Sequence, residues 1–235
     1  MKTLTSMLLL IMIAFTGIGT VLASDETQNR NVKDFNAIKV STGIDLYLSM
    51  GNEESVKIVA EDDIIDNIKT EVKSGVLHIY MKQNNSWFNW SGNKTRKAYV
   101  SVKELVALDA SSGSDVETEN TLEGDKLEVK ASSGSDVKLA LHVKNFSIDT
   151  SSGSDARLSG RVKYLTAEAS SGSDINASDL ESLVCTAKAS SGSDISLTVT
   201  EEIHAKASSG ADIVYYGNPK TKDIDESSGG DVRQR

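Results

Sequence analysis

The feature that most constrains this chain is a short motif, built on Ser-Ser-Gly-Ser-Asp, that returns every 18–21 residues from Ala110 onward. There are seven copies, with glycines Gly113, Gly134, Gly153, Gly172, Gly192, Gly210 and Gly229, at spacings of 21, 19, 19, 20, 18 and 19 residues. So regular a period marks a repeat architecture, and helical repeats are excluded because they need about 33 residues or more. Between motifs, apolar and polar residues alternate: Leu127, Val129 and Ala131 sit between charges, and Leu183, Cys185, Ala187 and Ala189 follow the same rule. A period of two is the mark of a strand with one buried face. The expected fold is an all-β parallel β-helix, or β-solenoid, of about seven 18–21-residue coils with an N-terminal β-rich cap. Each coil encloses a narrow core, and stacked coils pair at about 4.8 Å.

Stacking in register turns each motif position into a column. The residue before the motif is Ala110, Ala131, Thr150, Ala169, Ala189, Ala207 or Glu226, and the residue after it is Val116, Val137, Ala156, Ile175, Ile195, Ile213 or Val232. Small and β-branched residues suit a cramped interior. The glycine permits a positive φ where the coil turns. The flanking Ser and Asp side chains are placed to bond nearby backbone amides.

The same logic stacks Asp115, Asp136, Asp155, Asp174, Asp194, Asp212 and Asp231 in one column. Carboxylates about 5 Å apart repel by on the order of 0.9 kcal/mol per neighbouring pair even in water, before salt screening. Over the column this approaches roughly 5 kcal/mol, comparable to the stability of a small domain. Two answers are open. Adjacent serines and backbone amides hydrogen-bond the carboxylates while solvent disperses the charge, or the column binds cations, with Ca²⁺ the best fit to loose oxygen ligation.

The N-terminus reads as an export signal. Lys2 precedes an apolar run from Leu8 to Leu22, and Val21 and Ala23 are small residues at a cleavage position, so residues 1–23 are expected to be a cleaved signal peptide. The other expected segments are a linker at 24–31, a β-rich part at 32–109 and the repeat solenoid at 110–235, the last two continuous as one domain. The formal charge of −9 becomes −10 once Lys2 is removed. With no basic stripe, nucleic acid is not an expected partner. No later segment could span a bilayer as a helix. Cys185 is the one cysteine and aligns with inward Leu183 and Ala187, so it reads as a buried core thiol.

Residues 32–109 lack the repeat but keep strand patterning, and Ser41-Thr-Gly-Ile-Asp45 is a degenerate relative of the motif. Phe35-Asn-Ala-Ile-Lys-Val-Ser-Thr-Gly-Ile-Asp45, a strand pair ending in Gly75-Val-Leu-His-Ile79, and then serial Ser-Gly-Ser-Asp turns resemble the auto-transporter adhesin "head GIN" domain family of Bacteroidetes-type bacteria. Gly43-Ile44-Asp45 stands where that family has Gly-Ile-Asn. The resemblance covers about residues 32–232. It implies a right-handed parallel β-helix-like fold and a secreted or cell-envelope location, whether periplasmic, outer-surface or extracellular. It brings no catalytic residues to transfer.

The chain offers little chemistry. His78, His142 and His204 lie in separate segments without metal-ligand spacing, and no serine has a paired base nearby. Trp87, Phe88 and Trp90 form a concentrated aromatic cluster in a polar stretch. It reads either as a flap over one end of the solenoid or as an exposed platform for a glycan or surface protein. The expected protein is a non-enzymatic, adhesin-like surface or envelope solenoid, monomeric or associating end to end. The alternative is a polysaccharide lyase or hydrolase on a β-helix.

Overall fold

In the computed structural model, which describes residues 24–82 and 94–235, the chain is a β-solenoid of about seven turns. The expected signal peptide and the Trp87–Trp90 cluster lie outside the described residues. The strands are β1 (Asp25–Arg30), β2 (Ala37–Ser41), β3 (Asp45–Met50), β4 (Ser55–Glu61), β5 (Ile68–Lys73), β6 (Val76–Met81), β7 (Arg96–Val102), β8 (Ala107–Ser111) and β9 (Val116–Thr118). They continue with β10 (Leu122–Ser132), β11 (Asp136–Ser151), β12 (Asp155–Ser170), β13 (Asp174–Ser190), β14 (Asp194–Ser208), β15 (Asp212–Tyr216), β16 (Thr221–Ser227) and β17 (Asp231–Gln234). One 3₁₀ turn, Ile65–Asn67, precedes β5.

The coils pair in parallel and in register, so Asp136, Asp155, Asp174, Asp194, Asp212 and Asp231 share one column. Inward positions alternate as the sequence predicts. In β11 they are Val137, Leu139, Leu141 and Val143, then Phe146, Ile148 and Thr150. The phase slips by one residue at Lys144–Asn145, where the coil turns its second corner. The inward side chains of all coils merge into one continuous core, in which Cys185 is fully buried. Burial pushes its thiol pKa up to about 12, which leaves it protonated and unreactive.

The N-terminal part is more than a cap. β2 lies between β6 and β8, and β3 lies between β7 and β9, all in parallel. The earliest strands therefore form a true coil, and β6 and β7, later in the chain, stack outside it. Register sets Val40 beside Ala110 and Leu46 beside Val116, so Asp45 extends the aspartate column to an eighth rung.

The two ends are closed differently. At the N-terminal end β4 pairs antiparallel with β7, β5 pairs antiparallel with β6, and Ile64, Ile65 and Ile68 are buried against the core. The segment 24–31, expected to be a linker, instead carries β1, which pairs antiparallel with β4 over its whole length. Its polar residues hide it from pattern reading, because an edge strand forms by backbone pairing rather than by burial. At the C-terminal end β16 and β17 form the last coil, and every residue of β16 is exposed. Lys222, Ile224 and Glu226 stand over inward Ile203, Ala205 and Ala207. Inward-pointing charges on an edge strand obstruct pairing with another chain. Among the described residues no helix is long and apolar enough to cross a membrane.

Candidate functional site

The motif builds a corner with an outside and an inside. At each copy the second serine and the glycine both have positive φ, as in Ser152 (φ 57°) and Gly153 (φ 68°), and Thr42 and Gly43 repeat this in the added coil. A left-handed non-glycine residue costs on the order of 1 kcal/mol. Two sets of bonds offset it. Each corner glycine amide donates to the serine carbonyl of the next coil, from Gly43 to Ser112 (3.0 Å) through Gly210 to Ser228 (3.2 Å). The fourth motif residue points inward. Ser114, Ser135, Ser154, Ser173 and Ser193 are fully buried. The Ser154 hydroxyl donates to the Ala131 carbonyl (2.7 Å) and accepts from the Ser151 amide (3.2 Å). Ser135 and Ser193 donate likewise to the carbonyls of Ala110 and Ala169. Where Thr150 replaces Ala, its hydroxyl pairs with Ser173 (3.0 Å). These hydroxyls are consumed by the fold.

The aspartates follow immediately, on the outside. The amide of Asp136 donates to a carboxylate oxygen of Asp115, that of Asp155 to Asp136, and that of Asp194 to Asp174, at 3.2–3.3 Å. This is the backbone bonding that the sequence left as one of two answers to the repulsion. Cations flank both ends of the column. Lys97 shares the rung next to Asp45, and Arg233 bonds both Asp212 and Asp231 at 2.8 Å. The compensation is incomplete. Burial, and then the charge of Asp115, hold the Asp45 carboxyl above its ordinary pKa despite Lys97 and Arg96. Asp115 is raised by burial and by Asp136, against the pull of the Asp136 amide. Among the described residues no three Asp, Glu, His or Cys side chains are gathered closely enough to hold a metal ion.

A groove of about 220 Å³ follows the column at its N-terminal half, over Asp45, Asp115 and Asp136. A second, of about 350 Å³, lies over Asp174, Asp194 and Asp212 and reaches Tyr216 and Arg233. The column beside the aspartates, read along the axis, is Lys57, Tyr99, Tyr47, Glu117, Lys138 and Arg157. Tyr47 and Tyr99 stack with centroids 4.9 Å apart, and the Lys57 ammonium lies 4.2 Å from the Tyr99 ring centre. Sequence reasoning missed this pair. The two tyrosines lie in separate outward strand positions, and only the register brings them together. His204 bridges Glu202 (2.9 Å) and Asp223 (3.2 Å) and so ties β16 to β14.

A solenoid with such regular corners and an open, polar outer face belongs to the class of repeat-built proteins. The sequence places the chain in one family of that class. Residues 34–219 match the family described as "Putative auto-transporter adhesin, head GIN domain", and the chain belongs to it. Among solved structures, a "putative adhesin" from Bacteroides fragilis superposes with a TM-score of 0.82 at 22% identity, over 90% of this chain and 97% of that one. A "Putative lipid binding protein" from Parabacteroides distasonis follows with a TM-score of 0.71 at 18% identity, over 89% and 96%. A "putative adhesin" from Parabacteroides merdae has a TM-score of 0.66 at 17% identity, over 90% and 96%. At these identities the likeness shows a shared fold. No curated protein matches the chain.

Proposed function

We propose that this protein is an exported, non-enzymatic, adhesin-like solenoid that acts at the cell envelope by binding rather than by catalysis. Family membership supports the adhesin-like character. The observation that carries the reading is the use made of the repeated side chains. The buried serines close the corners, and Asp115, Asp136 and Asp174 each accept a bond from the next coil's amide on one carboxylate oxygen, so the repeated side chains serve first to build the scaffold. What varies from rung to rung is the outward column beside them, where recognition would be written. The interior is filled with side chains, which leaves the polar outer grooves as the binding surface.

The test is to incubate labelled protein with bacterial and epithelial cell surfaces, and separately with acidic polysaccharides. Saturable retention on a surface without release of reducing ends or unsaturated uronates is expected. Polysaccharide turnover without retention would overturn the reading.

A further inference from the structure

We propose that the groove over Asp45, Tyr47, Asp115, Asp136, Lys138 and Arg157 is a binding site for neutral saccharides, and that it disfavours acidic ones. This rests on the reading of the protein as a binding scaffold and names the ligand class of one face.

One face of the Tyr47 ring is covered by Tyr99, stacked at 16° between planes. The next rung along the column is Glu117. Its carboxylate pairs with Lys138 on the rung beyond, at 2.7 Å. Tyr47, Glu117 and Lys138 all line the groove of about 220 Å³. A tyrosine at the mouth of a polar groove presents an apolar ring to the C–H face of a sugar, backed by a second ring that holds it in place.

The polar groups around that ring fit hydroxyls. Asp45, Asp115 and Asp136 line one side and accept hydrogen bonds. Arg157 lines the other and forms no ion pair among the described residues, so its guanidinium is available to donate to hydroxyl or ring oxygens. The floor is the backbone at Leu46, Val116 and Val137, whose side chains are buried in the core and hold it rigid. A groove with a few convergent polar groups on a rigid floor, with carboxyls raised by burial, is a candidate ligand site.

Charge then selects the ligand. The lining holds Asp45, Asp115, Glu117 and Asp136 against Lys138 and Arg157, and the aspartate column continues beyond it. A uronate or sulfated sugar would meet like charge along the whole approach. A neutral sugar meets acceptors suited to its hydroxyls.

The experiment is calorimetric titration of the whole chain with cellohexaose, mannohexaose, chitohexaose and hexagalacturonate, with Tyr47→Ala, Tyr47→Phe, Arg157→Ala and Tyr164→Ala in parallel. Tyr164 is a tyrosine exposed at the opposite corner and serves as the control. At least one neutral hexasaccharide is expected to bind, with hexagalacturonate weaker by about tenfold or more. Tyr47→Ala is expected to lose about tenfold in affinity, with Tyr47→Phe and Tyr164→Ala within about twofold of the parent. Circular dichroism melts of each variant separate lost binding from lost folding, and retained binding by Tyr47→Phe shows that the ring is the determinant. Tight binding of hexagalacturonate, binding unaffected by both Tyr47→Ala and Arg157→Ala, or no binding of any neutral sugar would each overturn the site. If no sugar binds while the protein still adheres to cell surfaces, only this inference fails. If adhesion is absent too, the broader reading fails with it.

Discussion

Two columns run the length of this solenoid on eight rungs each, and they answer the same electrostatic problem in opposite ways. At the corner every rung is an aspartate: Asp45, Asp115, Asp136, Asp155, Asp174, Asp194, Asp212 and Asp231. On the flat strand that leads into the corner the rungs are Lys39, Asp109, Lys130, Asp149, Glu168, Lys188, Lys206 and Asp225, four cations and four anions. The mixed column closes with side-chain ion pairs, Lys39–Asp109 at 2.7 Å, Lys188–Glu168 at 2.8 Å and Lys206–Asp225 at 2.6 Å.

The difference teaches where charge of one sign is tolerated. Within a flat strand the backbone amides are already spent on the ladder, so an outward charge must find an opposite side chain. At the corner the backbone turns through two left-handed residues and some amides are redirected, so at three rungs a carboxylate accepts a bond from the amide of the next aspartate. One column is balanced by its sequence and the other in part by its backbone.

The largest effect should come from breaking the backbone that serves the aspartates. Gly153 has φ 68° and open space where a side chain would go, so Gly153→Val tests conformation alone. It is expected to cost about 2 kcal/mol, or roughly 4–8 °C in Tm. Lys130→Val, on the exposed strand of the mixed column, should stay within about 0.5 kcal/mol, since a β-branched residue suits a strand. Denaturant melts of both variants read the contrast.

A smaller effect is expected from the mixed column's own pairing. Lys130→Glu sets like charges beside both Asp109 and Asp149 and should cost about 0.5–1 kcal/mol at low salt. Adding Asp149→Lys, which then faces the new carboxylate at position 130 and Glu168, should restore most of it, a recovery that chemical denaturation of the double variant measures.

Smaller still is the pH response of the last coil. His204 is raised above its ordinary pKa of about 6.5, first by its hydrogen bond to Asp223 and then by that to Glu202. Its stabilisation is fully present below pH about 6.5 and is lost as pH rises through the elevated folded-state value. Hydrogen-exchange protection of residues 221–227, corrected for intrinsic rate, should therefore fall across that window, and His204→Gln should flatten the change.

Much of this was legible in the sequence because the repeat is local. The period, the alternation and the glycine at each corner are written within any 20-residue window, so the coil, the core columns and the buried Cys185 could be read directly. What was hidden depends on pairing across distance. β2 lies between β6 and β8 only because the chain doubles back, so Asp45 joins the column from a place in the sequence 70 residues before Asp115. Tyr47 and Tyr99 meet through that same register. β1 has no buried pattern to announce it. The left-handed serines were also unseen, since serine carries no strong signal for positive φ. The aromatic cluster at Trp87, Phe88 and Trp90 lies outside the described residues, whereas Tyr47 is where the structure sets an aromatic ring against a polar groove.

The aspartate column is a repulsive element, tolerated because the corner backbone holds three of its carboxylates. The most direct measurement is the thermal unfolding of the parent and of a variant with Asp115, Asp136, Asp155, Asp174 and Asp194 all changed to Asn, at low and at high salt. Asparagine keeps the acceptor oxygen and removes the charge. The variant is expected to melt higher at low salt, with the gap closing as salt screens the parent's column. A variant that melts lower at every salt concentration would contradict it, because the negative charge itself would then be what the column supplies.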